Sequence, residues 1–181
     1  TGIGIKDRVY DGTTKVYSSQ IDYSAVVADG LLPIDHEEWT AKLGNGIFTI
    51  DPAYADKHAE ENKTVSFTVT YGDYLRARYQ AVNDQTSAVS SITRRPLTIK
   101  ASDIQVSYGD EPVYKVEYKP VTGKAESGLA VGDTANESNV SFESPYEPGE
   151  PFGEHPEYIS SPAESFRNSE LATIDVKNYE P

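Results

Sequence analysis

Residues 63–73 read KTVSFTVTYGD. Val65, Phe67, Val69 and Tyr71 occupy alternate positions, with Thr64, Ser66, Thr68 and Thr70 between them. A period of two is the mark of a strand with one face on a core and the other on water. β-Branched and aromatic residues fill almost every place, as a pleated, half-buried surface favours. The run then stops at Gly72-Asp73, a turn signal. This stretch decides for a mainly β fold.

Working outward, GIFTID (46–51) reads as a second strand and YQAV (79–82) as a weaker third. TSAVSSITR (86–94) has the same alternating character around Val89 and Ile92. DHEEWTAKLG (35–44) has another period. Asp35 can cap a helix with Glu38 three positions on, Trp39 and Leu43 would form its buried face, and Gly44 supplies a stop. Beyond Arg94-Arg95-Pro96 alternation resumes in PLTIKASDIQVSYGD, and a proline at the first position of a strand costs no ladder hydrogen bond. Further strands are expected at 97–100, 104–108, 113–118, 139–143 and 171–176. Residues 144–165 hold five of the eleven prolines and read as an extended edge segment or a long loop. VTYGD (69–73) and VSYGD (106–110) share strand-then-turn chemistry rather than marking a duplication.

The expected organisation is two tandem small β domains, 1–95 and 96–181, joined by a short stiff linker. Charge supports the division. Residues 1–95 carry 10 basic and 13 acidic side chains, a net of −3, and residues 96–181 carry 6 and 16, a net of −10. An immunoglobulin-like sandwich is the favoured architecture. A β-grasp-like α+β arrangement, with the 35–43 helix across a small mixed sheet, is the alternative.

RVYDGTTKVY (8–17) sets two short runs on either side of Asp11-Gly12. That dipeptide fits a two-residue type I′ hairpin, with Gly12 supplying positive φ. Tyr10, Asp11 and Gly12 are therefore assigned to a structural turn, and so are Tyr108, Gly109 and Asp110.

The net charge of −13 argues against nucleic acid and anionic membrane as partners, because phosphate contacts require clustered Lys and Arg. No cysteine is present, which removes disulfides and thiolate chemistry. The chain shows no signal peptide and no apolar run long enough to span a membrane. It starts at Thr1-Gly2 without methionine, as a piece of a longer protein would. His36, His58 and His155 lack metal-ligand spacing and read as solvent-exposed. The acidic clusters lack the D-x-[DN]-x-[DN]-G form of a calcium loop. There is no G-x-S-x-G elbow, and SGLAVGD (127–133) lacks the ending of a phosphate loop. No enzyme activity and no cofactor are expected.

Two features carry possible chemistry. YGDYLRARY (71–79) gathers Tyr71, Tyr74, Arg76, Arg78 and Tyr79, a candidate ligand-facing patch because tyrosine stacks on sugars and serves interfaces. The plainer alternative has Tyr71 and Tyr79 filling a core while the arginines pair surface acids. Lys100, Asn178 and Glu117 are a candidate isopeptide trio, which would require an apolar pocket that lowers the lysine pKa and raises that of the acid.

RVYDGTTKV (8–16), followed by YADKHAEENKTVSFTV (54–69), resembles the YDG domain of bacterial surface proteins, with Asp56-Lys57 and Lys63-Thr64-Val65 at its central motif. LTIKASDIQVSYGDEPV (97–113), Gly132-Asp133 and YEPGEPFGEHPEYIS (146–160) resemble the MBG domain found beside it in adhesins. After Ser160 the chain departs from that pattern, being longer and more polar. The resemblance implies a secreted, cell-wall or cell-surface repeat protein whose modules act as a stalk or as weak multivalent binders of host mucin, other glycans or extracellular proteins. Neighbouring repeats in the same chain would be partners. A carbohydrate-binding accessory module of a secreted enzyme is the alternative. The resemblance carries over no catalytic residue.

Overall fold

A computed structural model describes residues 2–80, 84–134, 145, 147–149, 151, 153 and 178–180. The fold is mainly β. The chain divides into two compact units, one of Thr1–Val9 and Thr13–Thr93, the other of Tyr10–Gly12 and Arg94–Pro181.

The first unit contains, in chain order, β1 (Gly4–Ile5), β2 (Arg8–Val9), β3 (Ile21–Asp22), α1 (His36–Lys42), β4 (Phe48–Ile50), β5 (Ala53–Tyr54), β6 (Glu60–Tyr71), α2 (Asp73–Arg76) and β7 (Asp84–Thr93). Its main sheet runs β2-β7-β6-β4, with β5 also on β6, and β1 pairs with β3 in a separate two-stranded sheet. β6 follows its alternation: Val65, Phe67 and Val69 are buried while Thr64 and Ser66 face out. Antiparallel pairing sets Val65 opposite both Tyr54 and Ala88, and Val69 opposite Ile50. Between Glu60 and Lys63 the register slips by a bulge, where Asn62 adopts φ 56°, a left-handed conformation that asparagine tolerates.

The opening strand changes partners. β1 pairs antiparallel with β3, whereas β2 runs parallel to β7. A buried polar network holds the crossover. The Lys6 carbonyl accepts from Gln20 Nε2 and Ser90 Oγ, each at 3.1 Å, and Ser90 Oγ lies 2.9 Å from Tyr54 Oη. Such groups are tolerated in a core because each finds a partner. Outside it, the exposed Asp7 carboxylate accepts the Ser91 N–H at 2.7 Å.

The expected hairpin across Asp11-Gly12 does not form. Arg8 and Val9 pair with Ile92 and Thr93, and Lys15 bridges to Ala53, so the two arms go to different partners. Gly12 has φ +83° as expected, but Asp11 does not have the positive φ that a type I′ turn requires. Positive φ at glycine marked a turn of the chain but did not specify which strands it joins.

Other expectations are also corrected. The helix forms, but Asp35 does not cap it. Asp35 ends a 3₁₀ turn (Pro33–Asp35) with helical backbone of its own, and its side chain makes no cap hydrogen bond. Trp39 and Leu43 are half-buried rather than buried. Tyr79 and Gln80 form no strand, because Tyr79 N–H donates to the Leu75 carbonyl and extends the helical turn of α2. The next strand begins at Asp84 instead.

The second unit contains β8 (Arg95–Pro96), β9 (Thr98–Ala101), β10 (Val116–Lys119) and β11 (Tyr179–Glu180). β9 and β10 pair antiparallel and β8 and β11 parallel. The expected strand at 104–108 is absent: the ladder ends where Ser102 N–H donates to the Lys115 carbonyl, and Pro112 offers no donor to prolong it. A β-turn follows, closed by Asp110 N–H on the Ser107 carbonyl at 3.0 Å, with Gly109 at φ +85°. The strands expected at 139–143 and 171–176 lie outside the described residues, as does most of 144–165.

Candidate functional site

The candidate patch in the first unit separates into two environments. Gly72 begins α2, and the turn presents Tyr74, Arg78 and Tyr79 toward Asp35. Tyr74 Oη donates to Asp35 Oδ1 at 2.6 Å and Tyr79 Oη donates to Oδ2, so both carboxylate oxygens hold a phenol. Tyr79 Oη also accepts the Leu32 N–H at 3.0 Å. Arg78 stacks over the Tyr74 ring, 4.0 Å from its centroid, with its Nε 3.8 Å from Asp35.

The Tyr74 and Tyr79 hydroxyls hold the Asp35 carboxyl below the ordinary aspartate range, and Arg78 adds to this. Asp35 in turn raises the pKa of both phenols. The arrangement ties the chain before α1 to α2. Tyr71 and Tyr79 also line a cavity of about 670 Å³ within this unit. Arg76 is exposed on the last turn of α2. Asp35 was legible only as a helix cap, and no local spacing announces a partner 39 residues away.

The central motif of the resemblance is likewise a structural pair. Lys63 is buried on β6, its side chain 4% exposed, and its ammonium donates to Asp56 Oδ1 at 2.7 Å with Glu60 Oε2 at 3.4 Å. Lys63, together with the His58 N–H, lowers the Asp56 pKa.

In the second unit Tyr10 is fully buried. Its hydroxyl donates to Asp133 Oδ2 at 2.9 Å, and Tyr179 Oη donates to the same oxygen at 2.6 Å. The two rings meet edge to face with centroids 5.5 Å apart. Tyr179 Oη accepts the Ala130 N–H at 3.0 Å, and burial followed by the Asp133 carboxylate pushes its pKa well above the ordinary phenol value. Arg95 donates to three carbonyls, those of Gly128 at 2.9 Å, Ser127 at 3.1 Å and Tyr10 at 3.2 Å. Gly12 approaches so closely that a Cβ there would stand 3.0 Å from the Val131 carbonyl oxygen.

Lys100 and Glu117 pair across β9 and β10, with Nζ 3.7 Å from Oε2. Their side chains are 49% and 36% exposed, and Lys119, then Lys100, lowers the Glu117 pKa. Isopeptide chemistry requires the opposite: a buried acid held protonated beside a neutral amine. Asn178 is fully buried.

His36 and His58 are exposed, and His155 lies outside the described residues. Among the described residues no cluster of His, Asp and Glu is placed to hold a metal ion, and no helix is long and apolar enough to cross a membrane. Compared with known families, curated proteins and solved structures, the chain matches no family model, no curated protein and no solved structure.

Proposed function

We propose that this chain is a non-enzymatic structural module of a secreted bacterial cell-surface protein, acting as a stalk segment beside neighbouring repeats. One observation carries the reading: the polar heads of Tyr10 and Lys63 in the two motifs, and of Tyr74 and Tyr79 in the candidate patch, are spent inside their own units. Tyr10 is committed to Asp133, Lys63 to Asp56, and the hydroxyls of Tyr74 and Tyr79 to Asp35. A recognition site keeps such groups available for a ligand, whereas a load-bearing module uses them internally.

The sandwich form of the first unit belongs to the same proposal. An opening strand that leaves β3 for a parallel place beside β7, with β6 and β4 next in order, favours an immunoglobulin-like sandwich over a β-grasp.

The test is retention of the monomeric chain on immobilised mucin and on a glycan array. A stalk gives no saturable signal. Saturable retention lost on Arg76→Ala, a change outside the Asp35 cluster, would overturn the reading in favour of a carbohydrate-binding module. Retention seen only for tandem copies would move it to weak multivalent adhesion.

A further inference from the structure

We infer that the first unit holds a binding site for an uncharged, flat aromatic small molecule in the cavity between its main sheet and residues 26–31. The floor is the inward face of the sheet, Phe67 and Val69 of β6 with Phe48 of β4, and Trp39 of α1 and Leu75 of α2 also line the space. The space, about 670 Å³, opens to solvent along the exposed Val27, Asp29 and Gly30. It falls in the range of sites that enclose drug-sized ligands, roughly 300–1,000 Å³.

The lining states the class of occupant. Trp39, Phe48, Phe67, Tyr71 and Tyr79 supply five aromatic rings, and flat ring systems gain most from offset or edge-to-face contact with such walls. Among the described residues no lysine, arginine or histidine lines the cavity, and Asp29 is the sole carboxylate, so an anion meets no counter-charge there. The Tyr79 hydroxyl is already engaged by Asp35 and the Leu32 N–H. Among the described residues Gln80 and Thr86 remain as polar lining, enough to orient a ligand with one or two polar atoms and too few for the many hydroxyls of a sugar.

Trp39 is the only tryptophan of the chain, so its fluorescence reports on this cavity directly. The experiment titrates the full chain with N-phenyl-1-naphthylamine, a neutral probe, and in parallel with the anionic 8-anilino-1-naphthalenesulfonate. The proposal expects saturable probe emission at one equivalent per chain, quenching of Trp39 through energy transfer, and binding of the anionic probe at least about tenfold weaker. Thr86→Phe, which adds a ring to the lining, should weaken the neutral probe by about tenfold or more while thermal unfolding stays cooperative. Should that variant not fold, Trp39→Phe serves instead: it removes energy transfer but keeps direct probe emission. Absence of saturable binding, equal response to both probes, or a stoichiometry well above one would overturn the site.

Discussion

Tyr10 Oη donates to Asp133 Oδ2 at 2.9 Å across 123 residues of sequence, and both side chains belong to the second unit. The tyrosine of the opening motif thus completes the core of a unit whose described residues, apart from Asp11 and Gly12 beside it, begin at Arg94. Tyr179 donates to the same carboxylate oxygen, and Arg95 holds the Tyr10 carbonyl. The motif acts through what it packs against.

Gly12 should be intolerant of any side chain. Its φ of +83° lies where L-residues pay about 1–2 kcal/mol, and a Cβ would press on the Val131 carbonyl at 3.0 Å. Gly12→Val is expected to lower the stability of the second unit by at least about 2 kcal/mol. Urea denaturation followed by tyrosine fluorescence measures it. An unchanged midpoint for Gly12→Ala would remove the conformational argument.

The Lys63–Asp56 pair should respond unequally to its two deletions. Asp56→Ala leaves a buried ammonium with Glu60 alone at 3.4 Å, whereas Lys63→Met leaves a carboxylate that is 49% exposed and readily hydrated. Asp56→Ala should cost about 1 kcal/mol, below the roughly 1.5–3 kcal/mol of a hydrogen bond to a charged group because one partner is half exposed. Lys63→Met should cost less. The reverse order in thermal melts would mean that the pair does not hold β6.

Stability should fall at both ends of the pH scale for reasons centred on one residue. Asp35 has a folded pKa below its ordinary 3.8, so the unfolded chain takes up the proton first. The stabilisation is complete above 3.8 and drains away as pH falls below it. Tyr74 and Tyr79 have folded pKa values above 10.0, so their contribution is complete below 10.0 and is lost as pH rises past it. Phenolate absorbance should therefore show delayed tyrosines in the wild type, two of which shift back toward ordinary titration in Asp35→Asn. Wild-type tyrosines that all ionise near 10.0 would contradict the cluster.

What the sequence made legible is local. The alternation of 63–73 gave β6 and its buried face, and the 35–44 pattern gave a helix, because period and turn residues act within a few positions. Illegible were the pairings. Nothing near Arg8 says that it lies parallel to Ile92, and nothing near Tyr10 points to Asp133. Asp35 was misread as a cap because an acid before a helix satisfies that pattern, while its true partners lie 39 and 44 residues on. The run at 104–108 has strand composition, yet strand formation also requires a neighbour, and the β9–β10 ladder ends before it. The cavity was beyond reach for the same reason: five separate rings converge on it only after the fold is made.

The central claim is that the signature residues hold the fold, and a double-mutant cycle on Tyr10→Phe and Asp133→Asn tests it most directly. Hydrogen exchange at the Leu97 amide, bonded to the Glu180 carbonyl, reads the stability of the second unit in each variant. The account predicts a coupling of about 1–2 kcal/mol between the two changes. Additivity within about 0.3 kcal/mol would contradict it.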